Sequence, residues 1–294
     1  MFPITHISPL PPLYPHKVGM CDFTYLAFSL ELSGSYAAKS LGKSTRIGVY
    51  KCKDCRKPFT VKVGTIFEDS HIPMRIWLQA ITLLCSSKKG MSSNQLHRTL
   101  GVTLKSAWFL SHRIREAMRD GKLAPMGGGG GAVEIDETYI GRKEGMPKQA
   151  GGYQHKQVVL TLVNRQGTAR SFHVEKANTE NVFPIVNENL SKEAVVITDE
   201  SRIYDKVDAA HHVHVNHARG EYVAEGRDPW LLGDVHTNTV EAYFSVFKRG
   251  MRGTYQHCKE KHLHRYLAEF DFRYNNRIAL EIDDNQRATK PCWA

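Results

Sequence analysis

No stretch of this chain approaches the roughly 20 consecutive apolar residues that a membrane-spanning helix needs. The opening residues, Met1-Phe2-Pro3-Ile4-Thr5-His6, lack the basic stretch and the apolar run of a secretory signal. Cysteine is scarce. The six are Cys21, Cys52, Cys55, Cys85, Cys258 and Cys292, too sparse for a disulfide framework at this length. One CxxC pair, Cys52 and Cys55, is present without a second nearby, so it supplies half of a four-ligand zinc site. His16 and Cys21 are the upstream residues that could complete it. No internal repeat is evident. Together these absences predict a cytoplasmic protein with reduced thiols.

Acidic residues are also in short supply. Asp plus Glu number 30 against 40 Lys plus Arg, a formal charge of +10. An excess of that size favours a polyanionic partner, nucleic acid above all, with plain solubility as the rival account. The bases cluster at 98–122, 142–156 and 248–265.

What is there divides the chain into pieces. Residues 1–49 are Pro-rich at the start and predict an irregular segment. Residues 50–70 hold the CxxC and a short strand, a partial zinc ribbon. Residues 71–122 read as helical. Pro73 suits a first helical turn, and Ile76, Trp77, Ala80, Ile81 and Leu84 make one apolar face. Residues 91–119 then read as helix–turn–helix, with Ser92 or Ser93 as a cap, Gly101 as the break and Thr103 as the second cap. In the second helix Ala107, Leu110 and Ile114 point inward, and Lys105, His112, Arg113 and Arg115 are expected outward, toward DNA. An ordinary helical hairpin is the alternative. The glycines from Gly127 to Gly131 predict a linker over 123–132. Beyond it the pattern turns to strands at 133–140, 157–163, 170–175, 194–198 and 213–216. A helix opens at Asn178, and helical sequence runs from Thr237 to about Arg277. Residues 133–280 thus form a mixed α/β domain, and 281–294 a tail.

Three acids in that domain carry the chemical expectation. Asp136 interrupts an apolar strand, Asp199 ends another, and Glu241 lies near the start of an amphipathic helix. An unpaired carboxylate inside an apolar strand is costly unless a cation compensates it. Three carboxylates brought together can hold a pair of Mg²⁺ ions and serve phosphodiester chemistry, with Mn²⁺ as a substitute. Each has a duller reading. Glu134 and Asp136 share a strand face that could simply be solvated, and Asn238 with Glu241 fits a capping box. Asp234, His236 and Asn238 are the local substitutes for Glu241. The run His211-His212-Val213-His214 reads as a polar strand end. Candidate phosphate contacts are Arg142, Lys143, Lys148, His217, Arg219, Lys248 and Arg252.

Several strings resemble a known family. They are Tyr50-Lys51-Cys52-Lys53-Asp54-Cys55, Val63-Gly64-Thr65-Ile66-Phe67, Leu96-His97-Arg98-Thr99-Leu100-Gly101-Val102, Glu134-Ile135-Asp136-Glu137-Thr138-Tyr139-Ile140-Gly141, Ile197-Thr198-Asp199, His236-Thr237-Asn238-Thr239-Val240-Glu241 and Phe272-Arg273-Tyr274-Asn275. As a set they resemble the bacterial insertion-sequence transposases of the ISXO-type group, which join a zinc ribbon to an RNase H-like DDE domain. The resemblance implies an RNase H-like five-stranded mixed sheet with flanking helices, preceded by a zinc-ribbon remnant and a helix–turn–helix domain. It implies Asp136, Asp199 and Glu241 as catalytic, metal-binding acids, and cleavage followed by strand transfer at the element's ends. The implied partners are terminal inverted repeats, target DNA and further copies of the chain, as a homodimer or larger synaptic complex. One departure is the missing CPxCG-like knuckle upstream of Cys52, which predicts an altered N-terminus. A DNA-binding protein without cleavage and a structure-selective nuclease are the competing readings.

Overall fold

The computed structural model describes residues 38–40, 48–52, 56–60, 62–119, 121, 123–147, 152–215 and 234–293. The chain forms two compact units, Met1–Met74 with Cys292–Ala294, and Arg75–Pro291. The helical segment and the sheet domain therefore fall in one unit. Among the described residues no helix is long and apolar enough to cross a membrane.

The first unit holds a small antiparallel sheet of β1 (Ala38–Ser40), β2 (Val49–Cys52) and β3 (Pro58–Thr60), in that order. Tyr50 pairs with Phe59 across β2 and β3, and their rings lie 5.9 Å apart, which gives this sheet its apolar contact. β1 lies in the segment expected to be irregular and pairs with β2. Its sequence Ala-Lys-Ser has no alternating apolar pattern, so the strand depends on its partner.

The second unit opens with three helices. α1 (Met74–Ser86) buries Ile76, Trp77, Ala80, Ile81 and Leu84, the face its spacing predicts. α2 (Ser93–Leu100) is capped by Ser92, whose side chain accepts from the Gln95 amide at 3.2 Å. It ends at Gly101, in the left-handed conformation at φ 64° that glycine tolerates best. α3 (Leu104–Ala117) is capped by Thr103 through the Ser106 amide at 3.1 Å.

A five-stranded sheet follows, built from β4 (Ala132–Ile140), β5 (Gln157–Asn164), β6 (Ala169–Val174), β7 (Val195–Asp199) and β8 (His211–Val215). The order is β6-β5-β4-β7-β8. The β4–β5 and β5–β6 pairs are antiparallel, and β7 and β8 run parallel to β4. This is the RNase H-like arrangement. α4 (Thr179–Asn189), capped by Asn178 as expected, covers one face, with Val182 and Val186 against Val133, Ile135, Leu160 and Leu162. α5 (Asn238–Gly250) and α6 (Leu263–Asn275) cover the other, where Val240, Phe244, Phe247 and Phe270 meet Val159, Val163 and Ala169. The helical run expected from Thr237 is broken between α5 and α6 by a π-helical turn at Met251–Tyr255. α7 (Asp284–Thr289), with an Asp283/Gln286 capping box, folds within the expected tail. Arg287 from α7 donates to the Cys85 carbonyl at 3.1 Å.

The glycine run read as a linker is a hydrogen-bonded turn. The Gly131 amide donates to the Gly127 carbonyl at 3.1 Å, and Gly129 donates to Glu193 at 2.8 Å. Gly127 has φ 79°, and a Cβ there would sit 2.4 Å from the Ala194 side chain, so the glycine is required by both conformation and space.

α3 is tied to α6 by a buried charge cluster. Arg115 Nε lies 2.6 Å from Glu269 Oε2, Arg273 bonds the same carboxylate, and Tyr255 donates to it at 2.6 Å. The Arg115 guanidinium also stacks 4.3 Å above the Tyr266 ring. Burial raises the Glu269 carboxyl, but Arg273, Arg115 and the hydrogen bonds outweigh it and hold it at about 2. The outward placement expected for Arg115 and His112 is therefore wrong. Both are buried, because they lie on the same helical side as Leu110 and Ile114 and that side meets α6.

Candidate active site

β4 has an antiparallel neighbour on one side and a parallel one on the other. The β4–β7 ladder runs from Ala132↔Val195 to Glu134↔Ile197. Continued by two residues, the same register sets Asp199 level with Asp136, on the same face of the sheet. That face is the one α5 covers, and α5 carries Glu241 in its first turn.

The electrostatics record the result. The Asp136 carboxyl is pushed up to about 7, first by burial, then by the Glu137 charge, with Asp199 and Glu241 adding to the repulsion. A hydrogen bond from the Glu137 amide to Asp136 at 2.7 Å only partly offsets this. The Asp199 carboxylate accepts from the Ser201 amide at 3.1 Å, and Glu241 accepts from the Thr237 hydroxyl at 3.2 Å. Glu137, on the opposite face of β4, accepts from the Tyr204 hydroxyl at 2.5 Å. Its carboxyl is raised, by burial first and then by Asp199.

The sequence brings three acids into one field, but not into a closed cage. Among the described residues no group of three or more His, Cys, Asp or Glu side chains is gathered tightly enough to hold a metal ion as it stands. The donor chemistry nonetheless fits a hard divalent cation, since every donor is a carboxylate oxygen. Burial and like charge push Asp136 toward its neutral form, and a bound cation reverses that tendency.

Glu134 is a different case, and its role was missed in the sequence. It is fully buried on the Asp136 face. Its two oxygens accept from the Thr239 amide at 2.8 Å, the Val240 amide at 2.9 Å, the Thr239 hydroxyl at 2.8 Å and Arg165 Nε at 2.9 Å. Arg165, from the β5–β6 turn, also donates to the carbonyls of Asp234 and His236. Glu134 therefore caps α5 from outside the helix, where a carboxylate meets the positive end of the helix dipole. The capping box expected from Asn238 and Glu241 does not form. Thr237 occupies the cap position, Asn238 is the first helical residue, and Glu241 bonds to Thr237 instead. Asp234 and His236, the substitutes considered for Glu241, belong to the Arg165 clamp. The signal for Glu134 was an acid at an apolar-strand position whose partner lies more than a hundred residues away.

Residues 129–275 match the family described as the ISXO2-like transposase domain. The chain belongs to this transposase family. It is also 29% identical, over 239 residues, to a Halobacterium salinarum protein named "Uncharacterized protein in transposable element ISH50", a match covering 76% of this chain and 77% of the relative. A crystal structure of a pre-cleavage Mos1 transpososome aligns with 76% of this chain and 77% of its own, at 12% identity and a TM-score of 0.27. A likeness at that score assigns nothing to individual residues.

The remaining candidate residues of this transposase are dispersed. Lys105, Arg142 and Arg252 are exposed. Arg113 is half-buried with its guanidinium 5.7 Å from the Phe109 ring, and Lys248 lies 5.7 Å from the Phe244 ring. Lys143 donates to the Glu175 carbonyl at 2.7 Å. His112 is withdrawn from solvent. His212 on β8 bonds Thr198 at 2.9 Å. His16, Cys21, Cys55, Lys148, His217 and Arg219 lie outside the described residues, and of Cys52 only its place at the end of β2 is described. Tyr139 and Tyr153, missed earlier, stack at 4.4 Å, and Tyr139 is raised by burial and then by Glu137, Tyr153, Asp136 and Asp199.

Proposed function

We propose that this transposase cuts DNA at the ends of an insertion sequence and joins the freed 3′ hydroxyl to target DNA. The observation that carries the reading is the β4–β7 register, which continued by two residues sets Asp136 level with Asp199 on the face that α5 covers, in a chain of the transposase family; the raised Asp136 carboxyl supports it. Asp136, Asp199 and Glu241 are the proposed ligands of two Mg²⁺ ions, with Mn²⁺ as a substitute. Such ions activate the attacking oxygen and neutralise charge on the leaving one. Asp136 and Asp199 hold the fixed side of the site, on adjoining strands. Glu241 approaches from α5, and Glu134 sets where that helix begins. Lys105, Arg142 and Arg252, which are exposed, are the proposed cations for the phosphate backbone, together with Arg113, Lys143 and Lys248. The relative from a transposable element supports the biological setting. Terminal repeats and target DNA are the proposed partners, and two DNA ends call for at least two copies of the chain. Zinc at Cys52 and Cys55 belongs to the same reading.

A strand-transfer assay with labelled element ends and Mg²⁺ tests this. Joined product is expected, and Asp136→Asn should abolish both cleavage and joining while DNA binding persists. Cleavage without joining would make the protein a nuclease. A gel shift with neither reaction would make it a transposase-derived DNA-binding protein.

A further inference from the structure

Trp108 lies on α3 and is 45% exposed. Its indole rests on the His112 ring at 4.2 Å and meets the His262 ring nearly edge-on at 5.6 Å. His112 is itself fixed. It is 4% exposed, packs against the Tyr266 ring and sits 3.5 Å from Arg265 Nη1. An indole is thus held rigidly by a buried imidazole behind it, while nearly half its surface stays in water.

The charge around the ring is mostly positive, and Glu260, the acid beside Lys261, accepts from Gln157 at 2.9 Å. Lys105 is exposed near the start of α3, and Lys261 and His264 are exposed on the segment that carries His262. Both imidazoles record the crowding. His112 is pushed down to about 3 by burial, then by Arg115, His262 and Arg265. His262 is lowered by burial and then by Arg265, Lys261, His264 and Lys259. The nearby acid Glu116 is already engaged by Arg119 and Arg265. A second copy docked on this face would set cations against cations, which disfavours a self-interface. A flat aromatic ring among cations instead suits a base with its phosphates.

We propose that Trp108 is a stacking platform for an unpaired nucleobase of the DNA substrate, with Lys105 and Lys261 holding flanking phosphates. The proposal rests on DNA being the substrate, as argued above. Fully paired duplex keeps its bases stacked on one another, so the platform should act on a nucleotide released from pairing, as at a cut end.

The test measures binding of the full chain to a paired duplex and to the same duplex with a short 3′ overhang. Trp108→Ala should weaken overhang binding by about tenfold, the scale of one base–aromatic stack, and leave the paired duplex nearly unchanged. Trp108→Phe should restore most of the loss, and Lys261→Gln should reduce the salt dependence of binding. Equal affinity of wild type and Trp108→Ala for both substrates overturns the platform, as does an equal loss on both. So does a changed oligomeric state with unchanged DNA affinity, which would give the ring to a protein partner. Wild type that binds neither DNA would instead sink the transposase reading itself.

Discussion

Glu269 is a fully buried carboxylate and Asp136 a half-buried one in the same folded unit, and their surroundings drive them in opposite directions. Glu269 has two arginines and a tyrosine hydroxyl, and sits at about 2. Asp136 has three other acids, and sits at about 7. The first is complete as folded, and its work is to hold helices together. The second is crowded by like charge that a proton or a bound cation would relieve, the condition expected of the metal ligand proposed above.

The sharpest way to break this contrast is at Glu269. Glu269→Gln leaves Arg115 and Arg273 buried without an anion, and should cost about 3–5 kcal/mol in urea unfolding. A loss under about 1 kcal/mol, the worth of a surface pair, would make the cluster incidental. The wild-type contribution also has a pH signature. Because the folded value lies below the ordinary 4.5, the stabilisation is present above that pH and fades as pH falls toward about 2.

Asp136 predicts the reverse slope. Its folded value lies above the ordinary 3.8, so the folded state holds the proton more tightly. Its contribution is present at low pH and is lost as pH rises through about 7. Mn²⁺ at pH 8, in hundredfold excess over its dissociation constant, should restore about 2.7 kcal/mol to wild type by linkage. Asp136→Asn should be more stable than wild type at pH 8 without metal, and should gain little from Mn²⁺. Thermal unfolding with and without Mn²⁺ reads both, and an equal Mn²⁺ gain in the variant would refute the assignment.

Glu134 is a third case, an acid whose oxygens accept from two amides, a hydroxyl and one arginine. Glu134→Gln replaces one acceptor oxygen with a donor and should cost roughly 2 kcal/mol, the scale of a charge-assisted hydrogen bond. Amide exchange should quicken in the first turn of α5 and remain unchanged in α4. Uniform exchange across both helices would mean that Glu134 serves the fold at large and not the placement of Glu241.

Periodic features were legible in the sequence. The α1 apolar face, the Ser92, Thr103 and Asn178 caps, the Gly101 break and the five strands all follow from local pattern. Asp136 and Asp199 were legible as candidates because each breaks or ends an apolar run, and Glu241 because it opens an amphipathic helix. What failed was anything decided by a distant partner. Arg115 and His112 look solvent-facing until α6 is placed against them, and neither helix encodes that meeting in its own spacing. Glu241 looked like half of a capping box because the true cap, Glu134, comes from a strand. Gly127–Gly131 looked like a tether because composition says nothing of Glu193 or Ala194.

The Arg115 cluster also bears on where this transposase can be divided. The family match starts at residue 129, within the glycine turn, whereas the folding unit starts at Arg75. A fragment beginning at 129 would keep all five strands of the larger sheet and all three acids, yet would forfeit a guanidinium from the middle of its interior. Tyr255 and Tyr266 would face a vacated slot, and α6 would lose the side that α3 covers. The helices ahead of the sheet thus serve as a wall of the domain that follows them. The border drawn by ancestry and the border drawn by packing fall some fifty residues apart in this chain.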